Sequence, residues 1–245
     1  MDRQRILISL AAGCSLLFAG ASIAWAVVHP PDVNPADFNN PPQAIDNPYF
    51  PLPGKTLFIY EGTKEGVPTH DEVCVTSQKE PILGVQTTVV HHRSFEGNPL
   101  VLVEDTKDWF AQDGSGNVWY FGEDTKELAP DGTISSTEGS WKAGVDDADA
   151  GFIMVAAPQV GERYYQEFAP KVAEDQAKVL SLDESVCLDE FGCYDNVLLT
   201  SETSRLDPGV VEYKYYAPGV GFILGVMVKG GNERTELVSI GHCSK

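Results

Sequence analysis

The chain has 245 residues, with 17 basic side chains against 36 acidic ones and a formal net charge of −19. So acidic a surface repels nucleic acid and anionic lipid, and neither is expected as a partner. The length allows one full core or two small ones.

The first element is a targeting signal. Asp2, Arg3 and Arg5 precede an apolar run from Ile6 to Val28 that contains Ala24-Trp25-Ala26, an A-x-A cleavage pattern. Residues 1–26 read as a secretory signal peptide. The run also has the roughly 20 residues that span a bilayer, so an uncleaved anchor is one alternative. Ala11-Ala12-Gly13-Cys14 is a loose lipobox-like word and gives another. All three place the body outside the cytoplasm, because Arg3 and Arg5 favour the inner side. Losing Arg3, Arg5 and Asp2 leaves a 219-residue body with 15 basic and 35 acidic residues, a charge of −20, and no membrane span.

Residues 27–53 hold eight of the sixteen prolines. Proline blocks regular ladders and favours extended chain, so this is a Pro-rich tether. Ile45, Tyr49, Phe50 and Leu52 give it an apolar end that can pack on the body.

Residues 54–245 read as one β domain. Strand signals begin at Thr56–Tyr60 and recur at Val73–Thr76, Val85–Val90, Leu100–Val103, Asp108–Gln112 and Val118–Phe121. They resume at Tyr164–Phe168 and continue to Thr235–Ile240. Strands at regular spacing without strand–helix alternation indicate an antiparallel all-β meander, closed into a barrel or half-barrel. A two-sheet β-sandwich is the alternative. One short helix is expected at Lys171–Lys178. Ala129–Ala157, rich in Gly, Ser, Asp and Ala, reads as an excursion from the sheet. The sequence has no dinucleotide fingerprint, P-loop, HExxH or GxSxG word, and no cofactor is expected.

The stretch Glu104–Glu127 contains the word EDTK twice. A three-residue turn at Gly114-Ser115-Gly116 makes it one hairpin. Ala111 then faces Trp119, Trp109 faces Phe121, Lys107 faces Glu123 and Glu104 faces Lys126, so the repeat lays opposite charges across the strands. One face carries Trp109, Ala111, Trp119 and Phe121. The other carries Asp108, Phe110, Tyr120 and Asp124. Trp109, Trp119, Tyr120 and Phe121 are candidate ligand-binding residues. Asp108 and Asp124 with Tyr120 form a candidate catalytic group, since two close carboxylates can share a proton. Asp113, Ser115 and Asn117 fit the start of a calcium loop, but the Gly and Glu that an EF-hand needs do not follow.

Pairing Thr76 with Val85 sets His70 opposite His91, which makes these two a candidate metal pair. Cys74, Cys187, Cys193 and Cys243 are an even set in an exported chain and suggest two disulfides. Cys187 and Cys193 flank a plausible hairpin turn, which leaves Cys74 for Cys243.

The words IDNPYFPLPGKTLFIYEG, DWFAQDGSGNVWYFGEDTKE, STEGSWKAGVD, VLSLDESV and VVEYKYYAPGVG resemble a family of exported bacterial proteins and lipoproteins of unassigned function. The resemblance covers most of Ile45 to Gly221 and implies a single unit. KYYAPGVGFI is similar to the closing strands of lipoprotein-carrier-like half-barrels. The cysteines and His91-His92-Arg93 depart from the family pattern. The functional expectation is a non-enzymatic binding protein for an apolar or amphipathic small molecule. The alternatives are an extracytoplasmic enzyme built on Asp108 and Asp124, or a surface interaction protein.

Overall fold

A computed structural model describes residues 30–39 and 43–243. The signal peptide expected at residues 1–26 lies outside them. Fifteen strands form one antiparallel sheet. They are β1 (Thr56–Lys64), β2 (Val67–Ile82), β3 (Val85–Glu96), β4 (Val101–Gln112), β5 (Val118–Leu128), β6 (Ile134–Ser136), β7 (Trp141–Lys142) and β8 (Asp149–Met154). The second half supplies β9 (Arg163–Tyr165), β10 (Glu167–Phe168), β11 (Asp175–Leu188), β12 (Gly192–Ser204), β13 (Val211–Ala217), β14 (Gly221–Lys229) and β15 (Glu233–His242). Thirteen lie in the order β10-β8-β5-β4-β3-β2-β1-β15-β14-β13-β12-β11-β9, and β6 and β7 pair with β5.

The barrel is nearly closed. β9 and β10 are separated only by Gln166, yet β9 bonds to β11 at one sheet edge and β10 to β8 at the other. One short stretch therefore covers both edges, which removes the hazard of an open edge strand. Both faces of the sheet contribute buried side chains, with Phe121, Met154, Leu198, Ile223 and Leu237 essentially inaccessible. The first and last strands are neighbours, β1 on β15, and the Cys74–Cys243 disulfide lies at this seam. Cys187–Cys193 clasps the β11–β12 turn.

No helix forms at Lys171–Lys178. A single 3-10 turn, Pro35–Asp37, is the only helical element among the described residues. Lys171 has φ 67° and the backbone turns back through Ala169 N–H to Ala173 O. Asp175–Lys178 instead pairs with β12, and its last three residues with β9 as well. Eight residues are too few to nucleate a helix against two ladders of sheet hydrogen bonds.

The tether segment closes one end of the barrel. Asp37 accepts the Gly114 N–H, and Pro48 accepts the Gly219 N–H. Pro35 lies against Gly84. These contacts fall on the β4–β5, β13–β14 and β2–β3 turns, which antiparallel topology puts at the same end. Asn47, 2% exposed, fixes the strap: its Nδ2 donates to Gly116 O and Val155 O, and its Oδ1 accepts from Tyr49 N–H. Phe38 packs edge-on against Trp119 and Phe121 on the outer face of the hairpin.

Candidate functional site

A cavity of about 710 Å³ occupies the barrel interior. The strap residues Phe50, Pro51 and Leu52 are its floor, and Phe58, Tyr60, Phe110, Tyr120, Tyr216 and Phe222 form an aromatic lower wall. Phe110 stacks on Tyr120 at 4.8 Å, and Phe222 lies between Tyr60 and Tyr216. Toward the other end the lining turns polar, with Lys64, Glu96, Glu104, Glu127, Glu212 and Glu233 near strand ends. The cavity is thus amphipathic along its length.

The polar groups between these zones are held by cross-strand pairs. Asp71 faces Ser94, and Val73 faces His92, so Asp71, His92 and Ser94 share the inner face. Ser94 Oγ donates to Asp71 Oδ1 at 2.6 Å, and His92 Nε2 lies 3.2 Å from the same oxygen. Burial opposes the protonated form of His92, but the Asp71 hydrogen bond and the charges of Asp108, Asp71 and Glu104 outweigh it and raise its pKa. Burial raises the Asp71 pKa, and the hydrogen bonds from His92 and Ser94 more than reverse this. A serine, histidine and aspartate together invite a hydrolase reading, but the geometry is wrong for one. Ser94 and Asp71 meet the same imidazole nitrogen, and the serine proton points at the carboxylate instead of the base.

On the opposite wall Lys214 reaches Glu202 at 2.9 Å and Glu212 at 3.4 Å. Glu202 also accepts from Thr200 and Tyr216 hydroxyls, both at 2.9 Å. Burial alone would lower the Lys214 pKa, but the two glutamates carry it well above the usual value.

The hairpin that carries the EDTK words follows the expected register only at its tip. Ala111 faces Trp119 and Phe110 faces Tyr120, but a bulge then intervenes and Asp108 faces Glu123. Trp109 on β4 spans two residues on β5, Phe121 and Gly122. Gly122 adopts φ 127°, where a side chain would be strained, and a Cβ there would sit 2.3 Å from Trp141 O. The opposite charges set across the strands are therefore Lys107 facing Asp124 and Asp105 facing Lys126, not Lys107 facing Glu123 and Glu104 facing Lys126.

The same bulge redistributes the candidate catalytic group. Tyr120 OH donates to Asp108 Oδ1 at 2.7 Å, and both line the cavity. Asp124 falls on the outer face, bound to Lys126 at 2.8 Å. Glu123 takes its place beside Asp108. Burial, then the Asp108 charge, pushes the Glu123 carboxyl up to about 8. Burial also raises Asp108, against the pull of His92 and Tyr120.

Of the candidate ligand-binding aromatics, Tyr120 alone lines this cavity. Trp119 donates its Nε1–H to Asp113 at 2.9 Å and packs on Phe152, and Phe121 is fully buried. Trp109 lies under the Lys142 ammonium at 4.5 Å, in a separate outer cavity of about 610 Å³. Asp113 accepts from Ser115 N–H, Asn117 N–H, Asn117 Nδ2 and Trp119, so it locks the turn.

His70 and His91 do not meet. The β2–β3 turn is Leu83-Gly84, both at positive φ, and a shift between Val75 and Lys79 sets His70 opposite Phe95 and His91 opposite Cys74. Pro81 stays within β2 because β1 pairs only with Val67–Cys74, so its missing N–H faces no neighbour. His91 binds Asp105 at 3.0 Å. No cluster of three metal-binding side chains occurs among the described residues.

The site residues missing from the sequence reading are Asp71, His92, Ser94, Glu202 and Lys214. The alternation Asp71-x-Val73 and His92-x-Ser94 was a usable signal, but only with the register of β2 on β3 known.

No family model matches the chain, and no curated protein sequence matches it. Two solved structures are similar in fold. One is from Bacteroides fragilis and is described as an exported protein with a YmcC-like fold. It is 13% identical with a TM-score of 0.46, and the match covers 79% of this chain and 98% of that one. The other, from Parabacteroides distasonis, is described as a lipoprotein and is 15% identical with a TM-score of 0.40, over the same shares.

Proposed function

We propose that this chain is an extracytoplasmic binding protein that holds one amphipathic small molecule inside its barrel. The observation that carries this is the cavity itself, about 710 Å³ with an aromatic lower wall and a charged upper one. That volume lies in the range of small-molecule sites, and an apolar lining with a few placed polar groups is their usual composition. The disulfides favour an oxidising compartment.

The rival reading needs Asp108, Tyr120 and Asp124 to act together, and Asp124 points away from the other two. The interaction-protein reading needs a free tether, whereas its Phe50, Pro51 and Leu52 form the cavity floor. Titration with a neutral apolar fluorescent probe tests the binding reading. Wild type should bind one probe per chain. Val103→Trp, which adds an indole at a half-buried lining position near the strand ends, should weaken binding by about tenfold or more, since binding energy here comes from enclosed apolar contact. Equal binding by the two proteins at unchanged melting temperature would place the probe elsewhere.

A further inference from the structure

The register of β4 on β5 divides the charges of the EDTK words between two faces. The outer face receives Asp105 opposite Lys126 and Lys107 opposite Asp124. The inner face receives Glu104 opposite Glu127 and Asp108 opposite Glu123, with Thr106 opposite Thr125 between them. Opposite charges across a strand pair are favourable and like charges directly opposed are not. One face is therefore self-complementary and the other is a ladder of carboxyl groups.

His92 lies within electrostatic reach of Asp108 and Glu104, but each cation of the cavity is ion-paired elsewhere. Lys64 is tied to Glu96 at 3.5 Å, Lys214 to Glu202 at 2.9 Å, and His92 to Asp71 at 3.2 Å. Among the described residues no Lys, Arg or His makes an ion pair with Glu104, Glu127, Asp108 or Glu123.

Carboxyl groups on an open surface would be a solvated face and nothing more. These differ in what surrounds them. Glu104 and Asp108 line the cavity half-buried, Glu127 stands exposed at its rim, and the strands carry them on from the aromatic zone of Phe58, Phe110 and Phe222 toward the far end. Thr69 lines the same space, and its buried hydroxyl has no partner. We propose that the ligand is a cationic amphiphile: its apolar part lies against Phe58, Phe110 and Phe222, and its positive head sits on the ladder of β4 and β5. The proposal rests on the binding reading above and adds the sign of the ligand's charge. An organic cation fits better than a metal ion, since no described cluster offers three metal ligands.

The test uses the full chain and three C12 amphiphiles, each below its micellar concentration: dodecyltrimethylammonium, dodecanoate and a neutral dodecyl maltoside. Each displaces the neutral fluorescent probe at neutral pH. The quaternary ammonium should bind about tenfold more tightly than the other two, the scale of discrimination that one close charge pair supplies. The preference should largely vanish in the Glu104→Gln/Glu127→Gln double variant, a near-isosteric change. It should persist in Asp146→Asn/Asp147→Asn, which removes the same charge from exposed loop positions and so controls for bulk attraction. Dodecanoate or the maltoside binding as tightly as the cation overturns this inference and leaves the binding reading standing. A cation preference that falls equally in both double variants also overturns it. If none of the three displaces the probe, and the probe itself does not bind, the binding reading falls as well.

Discussion

At the residue scale, the molecule tolerates charges that its interior disfavours, and pH exposes the cost. Glu123 titrates near 8 when folded, against 4.5 ordinarily. Between those values the folded state holds a proton that the unfolded state has lost, so stability falls as pH rises through that window. Asp108, also raised, acts in the same direction. His92 is raised as well, so its contribution is complete below about 6.5 and is lost as pH climbs through its folded pKa. Asp71 is lowered, so its contribution is present above the ordinary carboxylate range and is lost only as pH falls into acid. Urea unfolding should therefore show greater stability at pH 5.5 than at pH 8.5. Glu123→Gln should shrink that difference, with a gain of about 1–3 kcal/mol at the higher pH, the usual scale for relieving an uncompensated buried group. A variant less stable than wild type at pH 8.5 would contradict the assignment. Gly122 makes a simpler case. Gly122→Val should cost about 3 kcal/mol or more, because positive φ and a backbone clash act together. A midpoint shift in denaturant measures it.

At the element scale, the strap and the bulge decide what the cavity is. Asn47 joins the strap to the β4–β5 turn and to the chain after β8. Asn47→Leu leaves Gly116 O and Val155 O without this donor, at an expected cost of about 2–4 kcal/mol in global or local opening. Hydrogen exchange should show the loss concentrated in residues 43–53 and the turns they cross. Uniform exchange with no change there would mean that the strap is not held by Asn47. The element scale also shows where sequence reasoning stops. Strand content, antiparallel order and the packing of Phe50 and Leu52 followed from alternation, proline content and apolar spacing. The hairpin turn at Gly114–Gly116 was readable because glycine marks it. The bulge was not, since a glycine within a strand pattern allows a bulge without fixing it. One residue of slip exchanges the faces of Glu123 and Asp124. The same limit undid His70 and His91, whose pairing depended on a turn three residues further on and a second shift in β2.

At the scale of the whole molecule, the two chain halves meet at β1 and β15, and Cys74–Cys243 clasps the seam across 169 residues. Replacing both cysteines by serine should lower stability by about 2–5 kcal/mol, the range for a long closed loop, and reduced and oxidised wild type should differ by the same amount in calorimetry. Barrel, seam and strap together enclose a space that a stable core would otherwise fill, and its lining grades from aromatic to acidic. We propose that this space holds a ligand. The most direct measurement is a crystal structure grown with a quaternary ammonium amphiphile brominated at its tail. One anomalous peak is expected between Phe58, Phe110 and Phe222, with density for the head group beside Glu104 and Glu127. A peak confined to the outer surface, with the interior unoccupied at saturating amphiphile, would contradict it.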